Sequence, residues 1–131
     1  IRYALKKNVI VVAAAGNGGA DQIGDDNEIT PHYPSSYRGV LAVGASDSQD
    51  KKAGFSNYGK PEFVKVFAPG VNILSTVPIN GYQSWNGSSM ATPLVSGLAG
   101  LLDKLCFKFA EQQIIWMHSI HPLQGKWDME E

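Results

Sequence analysis

Apolar residues along this chain fall into patterns of different period. Val9-Ile10-Val11-Val12-Ala13-Ala14-Ala15 is an unbroken run, β-branched at its start, small at its end and closed by Gly16-Asn17. With no polar alternation, it predicts a strand covered on both faces, as in a parallel sheet. Ligands of such sheets bind at the carboxyl ends of the strands, here at Gly16-Asn17. Ile73 to Thr76 and Gly81 to Trp85, joined by Val77-Pro78-Ile79-Asn80, read as a hairpin. Beyond Gly87, Leu94, Val95, Leu98, Leu101 and Leu102 recur at helical spacing, and Gly97, Ala99 and Gly100 keep the flanks of that helix thin. At the other end, Tyr3/Ala4 followed by Lys6/Lys7 has the look of the last turns of an amphipathic helix feeding the first strand.

Composition narrows the class without naming an activity. A chain of 131 residues with 44% hydrophobic and 18% charged positions is that of one globular domain. The formal net charge of -1 gives no electrostatic reason to expect nucleic acid or an anionic membrane as a partner, and no basic patch interleaved with aromatics occurs. Val9 to Ala15 and Leu94 to Leu102 are too short or too interrupted by Gly and Ser to span a bilayer. The single Cys106 excludes an internal disulfide and a four-cysteine metal site, and reads as a small buried hydrophobe.

Candidate chemistry concentrates at Asn86-Gly87-Ser88-Ser89-Met90-Ala91-Thr92-Pro93. Gly87 permits a sharp turn, either serine can cap the helix, and Pro93 falls early in it. A hydroxyl on the first turn stands where the positive end of the helix dipole favours a developing oxyanion.

This stretch resembles the nucleophile motif of the subtilisin-like serine peptidases, Gly-Thr-Ser-Met-Ala-Ser/Thr-Pro, with Ser88 in place of Thr and Leu94 in place of the usual His after Pro. The resemblance makes Ser89 the nucleophile. Ala14-Ala15-Gly16-Asn17 is similar to the family's Ala-Ala-Gly-Asn, which implies that the Asn17 side chain and the Ser89 N–H hold the oxyanion. It continues through Tyr33-Pro34-Ser35-Ser36-Tyr37 and a strand at Val40 to Ala45, through Phe55-Ser56-Asn57-Tyr58-Gly59, and through Ala68-Pro69-Gly70, covering Tyr3 to about Leu102. Tyr33-Pro34 is a candidate cis peptide. The implied fold is α/β, a subtilisin-like three-layer arrangement around a mainly parallel sheet. Ala13, Ala14, Ala15 and Gly16 are expected to line one wall of a substrate cleft, where a peptide pairs as an added strand. The resemblance puts His32, one residue before Tyr33-Pro34, near the pocket for the residue preceding the scissile bond, while a solvent-exposed loop histidine is the plainer reading.

A serine hydroxyl needs a positioned base, itself oriented by a carboxylate. None of the aspartates stands in an Asp-Ser/Thr-Gly motif, and His32, His118 and His121 include no His-Gly-Thr. The expectation is therefore an incomplete fold with its N-terminal part missing, residues 1–121 being the C-terminal part of a catalytic domain and 122–131 a divergent or truncated tail. Such a chain is expected to be inactive alone. The implied partners are a peptide or protein substrate and, in this family, a propeptide; the implied location is secreted or extracytoplasmic. Phe109 to Met117 has helical spacing and is similar to the family's following helix. The chemistry requires no cofactor and no metal ligands are assigned. Structural calcium goes with the resemblance, and Asp21, Asp25, Asp26, Asn27 and Glu28 supply oxygen ligands, but not at EF-hand spacing, so a solvated acidic loop is the plainer reading. The rival to an enzyme is a non-catalytic homologue that binds peptides or a protein partner.

Overall fold

The computed structural model describes the backbone of residues 1–111 and the side chains of residues 1–104. The elements in chain order are α1 (Arg2–Lys6), β1 (Val11–Ala14), β2 (Val40–Ser46), β3 (Val66–Pro69), β4 (Ile73–Val77), β5 (Gly81–Trp85) and α2 (Ser88–Glu111). The described residues divide into two units, Ile1–Gly100 and one that begins at Leu101. The expected boundary between residues 121 and 122, the residues Gln112 to Glu131 with His118 and His121, and the side chain of Cys106 lie outside the described part.

The apolar runs form a parallel sheet of order β1-β2-β3. Val11 to Ala14 pair with Val40 to Val43, and Val43 to Ser46 pair with Val66 to Pro69. The uninterrupted hydrophobicity of β2 is explained by its central place, with Val40 and Ala42 to Ser46 all buried. Gly44 pairs with Phe67, and a side chain on Gly44 would collide with the Phe67 ring. On one face of the sheet, Val43, Ala45 and Ala68 pack with Ala91 and Val95 of α2. Small residues on both sides are what bring helix and sheet together.

The predicted hairpin is present, β4 and β5 pairing antiparallel from Ile73↔Trp85 to Val77↔Gly81. Its turn places Ile79 at φ 67 and Asn80 at φ 56. Asn tolerates that region, whereas a β-branched residue is strained in it. The Tyr33-Pro34 peptide is cis, as the sequence predicts. The helix α2 continues past Leu102 to Glu111 and so takes in the first residues of the expected following helix.

Candidate active site

Three segments meet at the carboxyl end of β1. The first is Ala15-Gly16-Asn17, which leaves the sheet where β1 ends. The second is Gly87-Ser88-Ser89, which opens α2. The third is Ser56-Asn57, in the loop between β2 and β3.

Gly87 is held against the sheet through Gly70, just beyond β3. The Gly87 N–H donates to Gly70 O at 2.8 Å and the Gly70 N–H to Ser46 O at 2.9 Å. A side chain on Gly70 would come within 2.5 Å of Ala45 Cβ and 2.8 Å of Gly87 O. Only glycine permits that approach. Before the helix, Asn86 Oδ1 accepts the Asn72 N–H at 2.7 Å, tying the turn to the start of the hairpin.

The two serines behave differently. Ser88 is fully buried while Ser89, the next residue, is exposed. Neither caps the helix with its own side chain. The Ser88 N–H, one of the donors that a helix start leaves without an intrahelical acceptor, donates instead to Asn17 Oδ1 at 2.8 Å. The Ser88 hydroxyl accepts from the Gly16 N–H at 3.2 Å and donates toward Asn17 Oδ1 at 2.8 Å, with Gly16 O at 3.1 Å. The sequence leaves the choice of cap between Ser88 and Ser89; the cap comes instead from Asn17, in the loop after β1. Thr92 Oγ1 donates to Ser88 O at 2.8 Å, and Pro93, in the second turn, forgoes the bond to the Ser89 carbonyl.

Because a backbone N–H only donates, the Asn17 atom facing Ser88 is the oxygen. Asn17 Nδ2 therefore points the other way. A Cβ built on Gly87 would lie 3.3 Å from Asn17 Nδ2 and 3.6 Å from the Ser89 nitrogen. Two nitrogen donors thus lie close to one point beside Gly87, which Met90 Sδ borders at 3.4 Å. Among the described residues no acceptor engages the Ser89 N–H or its hydroxyl.

The remaining candidates are placed as follows. Ala13, Ala15 and Gly16 are buried and Ala14 is half-buried. The Ala15 N–H donates to Val43 O at 2.8 Å, so the inner part of this segment is engaged within the protein. His32 is exposed, and its ring lies beside Gly16, 3.1 Å from where a Cβ there would stand. The acidic loop is differently used: Asp21 Oδ1 accepts the Ile23 N–H, Asp26 Oδ1 accepts the Glu28 N–H, and Glu28 pairs with Lys60 at 2.6 Å. No group of three or more His, Cys, Asp or Glu side chains converges among the described residues.

Asn27 of that loop turns inward. Its Nδ2 donates to Ala15 O at 2.9 Å and its Oδ1 accepts from Asn57 Nδ2 at 2.9 Å. The sequence places Asn27 among oxygen ligands and Asn57 in the Phe55 to Gly59 stretch of the family resemblance, and gives neither a part in the site. Asparagine in a loop carries no local sign of a partner thirty residues away.

The profile of the subtilase family, peptidase S8, matches residues 1–118. The chain belongs to the subtilase family. It is 45% identical over 104 residues to alkaline elastase YaB of Bacillus sp. (strain YaB), covering 79% of this chain and 25% of that protein. Against thermitase of Thermoactinomyces vulgaris the identity is 46% over 102 residues, 78% of this chain and 33% of thermitase. Among solved structures, the prenylagaramide maturation protease PagA superposes with a TM-score of 0.68 at 40% identity, over 83% of this chain and 37% of PagA. The self-cleaved protease domain of PatA does so with a TM-score of 0.64 at 40% identity, over 77% of this chain and 36% of PatA. The subtilase segment described here thus spans between a quarter and about two fifths of those relatives. The α/β fold expected from the sequence is that of these proteases, seen in part. No described helix is long and apolar enough to cross a membrane.

Proposed function

We propose that this chain is the nucleophile-bearing part of a subtilisin-like serine endopeptidase, and that Ser89 attacks the peptide carbonyl of a peptide or protein substrate. The observation that supports this reading is the proximity of Asn17 Nδ2 and the Ser89 nitrogen beside Gly87, 3.3 Å and 3.6 Å from one point. Donors fixed in advance around the site of developing negative charge stabilise a tetrahedral intermediate without reorganising during the reaction. Attack by Ser89 Oγ forms the bond to the carbonyl carbon and moves the carbonyl electrons to the oxygen held there. Collapse expels the amine, and water then hydrolyses the acyl-enzyme. The base that takes the Ser89 proton and the carboxylate that orients it are assigned to parts of the protein outside this chain.

Around this centre, Gly16 and the half-buried Ala14 form a wall without bulky side chains, Ala13 and Ala15 support it from the core, and His32 stands at its edge beside Gly16. This is the surface assigned to substrate. The route through Ser89 calls for no cofactor.

The test uses the full-length protein containing this chain. The wild type is expected to cleave a peptide substrate and to be labelled by a fluorophosphonate, and Ser89→Ala to lose both. A full-length wild type that neither cleaves nor labels, yet binds peptide, would establish the non-catalytic homologue instead.

A further inference from the structure

Asn17 sits in a stretch with little intrinsic rigidity. Gly16 and Gly18 flank it, both at positive φ, 108° and 68°, and the Asn17 side chain itself is exposed. Glycine loses more conformational freedom than any other residue when such a geometry is fixed, so something outside the segment has to hold it.

Two buried asparagines do so. Asn27 and Asn57 are 0% and 3% exposed. Asn57 Oδ1 accepts the Gly18 N–H at 2.6 Å and the Asp25 N–H at 3.0 Å. The Asn57 N–H donates to Gly16 O at 3.0 Å. Asn57 Nδ2 donates to Asn27 Oδ1 at 2.9 Å, and Asn27 Nδ2 donates in turn to Ala15 O at 2.9 Å. The backbone is thus gripped at Ala15, Gly16 and Gly18, on both sides of Asn17. Both amide orientations are fixed by backbone partners that can only donate, at Gly18 and Asp25, or only accept, at Ala15. The pair is packed closely enough that a side chain on Gly16 would meet Asn57 Nδ2 at 2.6 Å.

We infer that Asn57, braced by Asn27, is a positioning residue for the oxyanion donor Asn17. This rests on the reading of Asn17 and Ser89 given above. A side-chain amide suits the task because one group supplies both an acceptor for the loop N–H groups and a donor to the bracing partner. The alternative is that the pair merely satisfies buried polar groups and stabilises the fold. The two differ in kinetics, since a donor displaced by a fraction of an ångström weakens the transition state while leaving ground-state binding in place.

The decisive experiment is a double-mutant cycle in the full-length protein with Asn17→Ala and Asn57→Ala, measuring kcat, KM and Tm. Asn57→Ala is expected to lower kcat about ten- to a hundredfold with KM changed less than about twofold. In the Asn17→Ala background the same change is expected to cost less than about twofold in kcat, because its target is already gone. Should Asn57→Ala fail to fold, Asn57→Ser, which loses the amide contacts to Gly18, Asp25 and Asn27 while leaving a polar group and a smaller cavity, takes its position in the cycle. A kcat unaffected by the substitution, a loss borne by KM, or full additivity with Asn17→Ala would overturn the role while leaving the peptidase reading standing. A wild type with no Ser89-dependent turnover would overturn that reading and this role with it.

Discussion

Asn17 Oδ1 accepts both the backbone N–H and the hydroxyl of Ser88, each at 2.8 Å. The two residues stand 71 positions apart, on the end of β1 and the first turn of α2. One oxygen therefore caps a helix and fixes which face of the Asn17 amide remains free. Ser88 and Ser89, though adjacent, stand in different surroundings: one is buried against Gly16 and Asn17, the other is exposed.

Ser88→Ala in the full-length protein removes the hydroxyl bonds to Asn17 and Gly16 but keeps the N–H bond to Asn17 Oδ1. A hydrogen bond of this kind contributes about 1 kcal/mol net, so kcat/KM should fall about five- to tenfold. Steady-state kinetics on a peptide substrate read this directly, and an unchanged kcat/KM would show that the N–H alone suffices to orient Asn17.

The cap and the donor can be separated at Asn17 itself. Asn17→Ala removes both, and is expected to lower stability by about 1 kcal/mol and kcat by about a hundred- to a thousandfold, a range that itself comes from a subtilisin. Asn17→Asp keeps an oxygen for Ser88 and places a carboxylate at a helix start, which the dipole tolerates. It should retain the wild-type Tm while losing at least as much kcat, since the second oxygen cannot donate. Paired melts and kinetics of the two variants test the separation; equal losses of Tm would contradict it.

Gly87→Ala probes the opening directly. The added methyl would occupy the point 3.3 Å from Asn17 Nδ2 and 3.6 Å from the Ser89 nitrogen, where the substrate oxygen is proposed to sit. The expected result is a loss of kcat of at least about a hundredfold, with Ser89 still reactive toward small electrophiles that need no oxyanion stabilisation. Turnover close to wild type would place the oxyanion elsewhere.

Much of this was legible in the chain itself. The run from Val9 to Ala15 announces a doubly covered parallel strand because nothing polar interrupts it, and the hairpin and the small-residue helix are equally local. Ser89 and Asn17 stand out in the chain because a motif and a strand end carry them, and the structure brings those two segments together. What local pattern could not supply is the reach of polar side chains across the fold. The Ser88 hydroxyl looks like a helix cap and is instead turned toward Gly16 and Asn17. Asn27, in a run of acidic residues, looks like a cation ligand or a solvated position, yet its amide turns inward to Ala15. The side chain an asparagine will satisfy depends on the tertiary partner, which no spacing encodes.

Residues 1–131 alone should neither fold cooperatively nor cleave peptides. Among the described residues the buried apolar core consists only of alanine and valine, whereas Leu94, Leu98, Leu101 and Leu102 of α2 are all exposed, Leu101 to 64%. Each large aliphatic side chain left in water forgoes about 1.5–3 kcal/mol of burial, against a net stability for a small domain of only about 5–15 kcal/mol. The sheet adds to the deficit, since β1 and β3 each have a strand partner on one side only among the described residues. The purified chain is expected to melt broadly, bind a hydrophobic dye and aggregate with rising concentration. With no His-Gly-Thr motif to supply a base for Ser89, it is expected to show no turnover. Calorimetry and dye binding check the first expectation and a peptide assay the second; a sharp two-state melt of the monomer, or cleavage abolished by Ser89→Ala, would show that this segment is sufficient by itself.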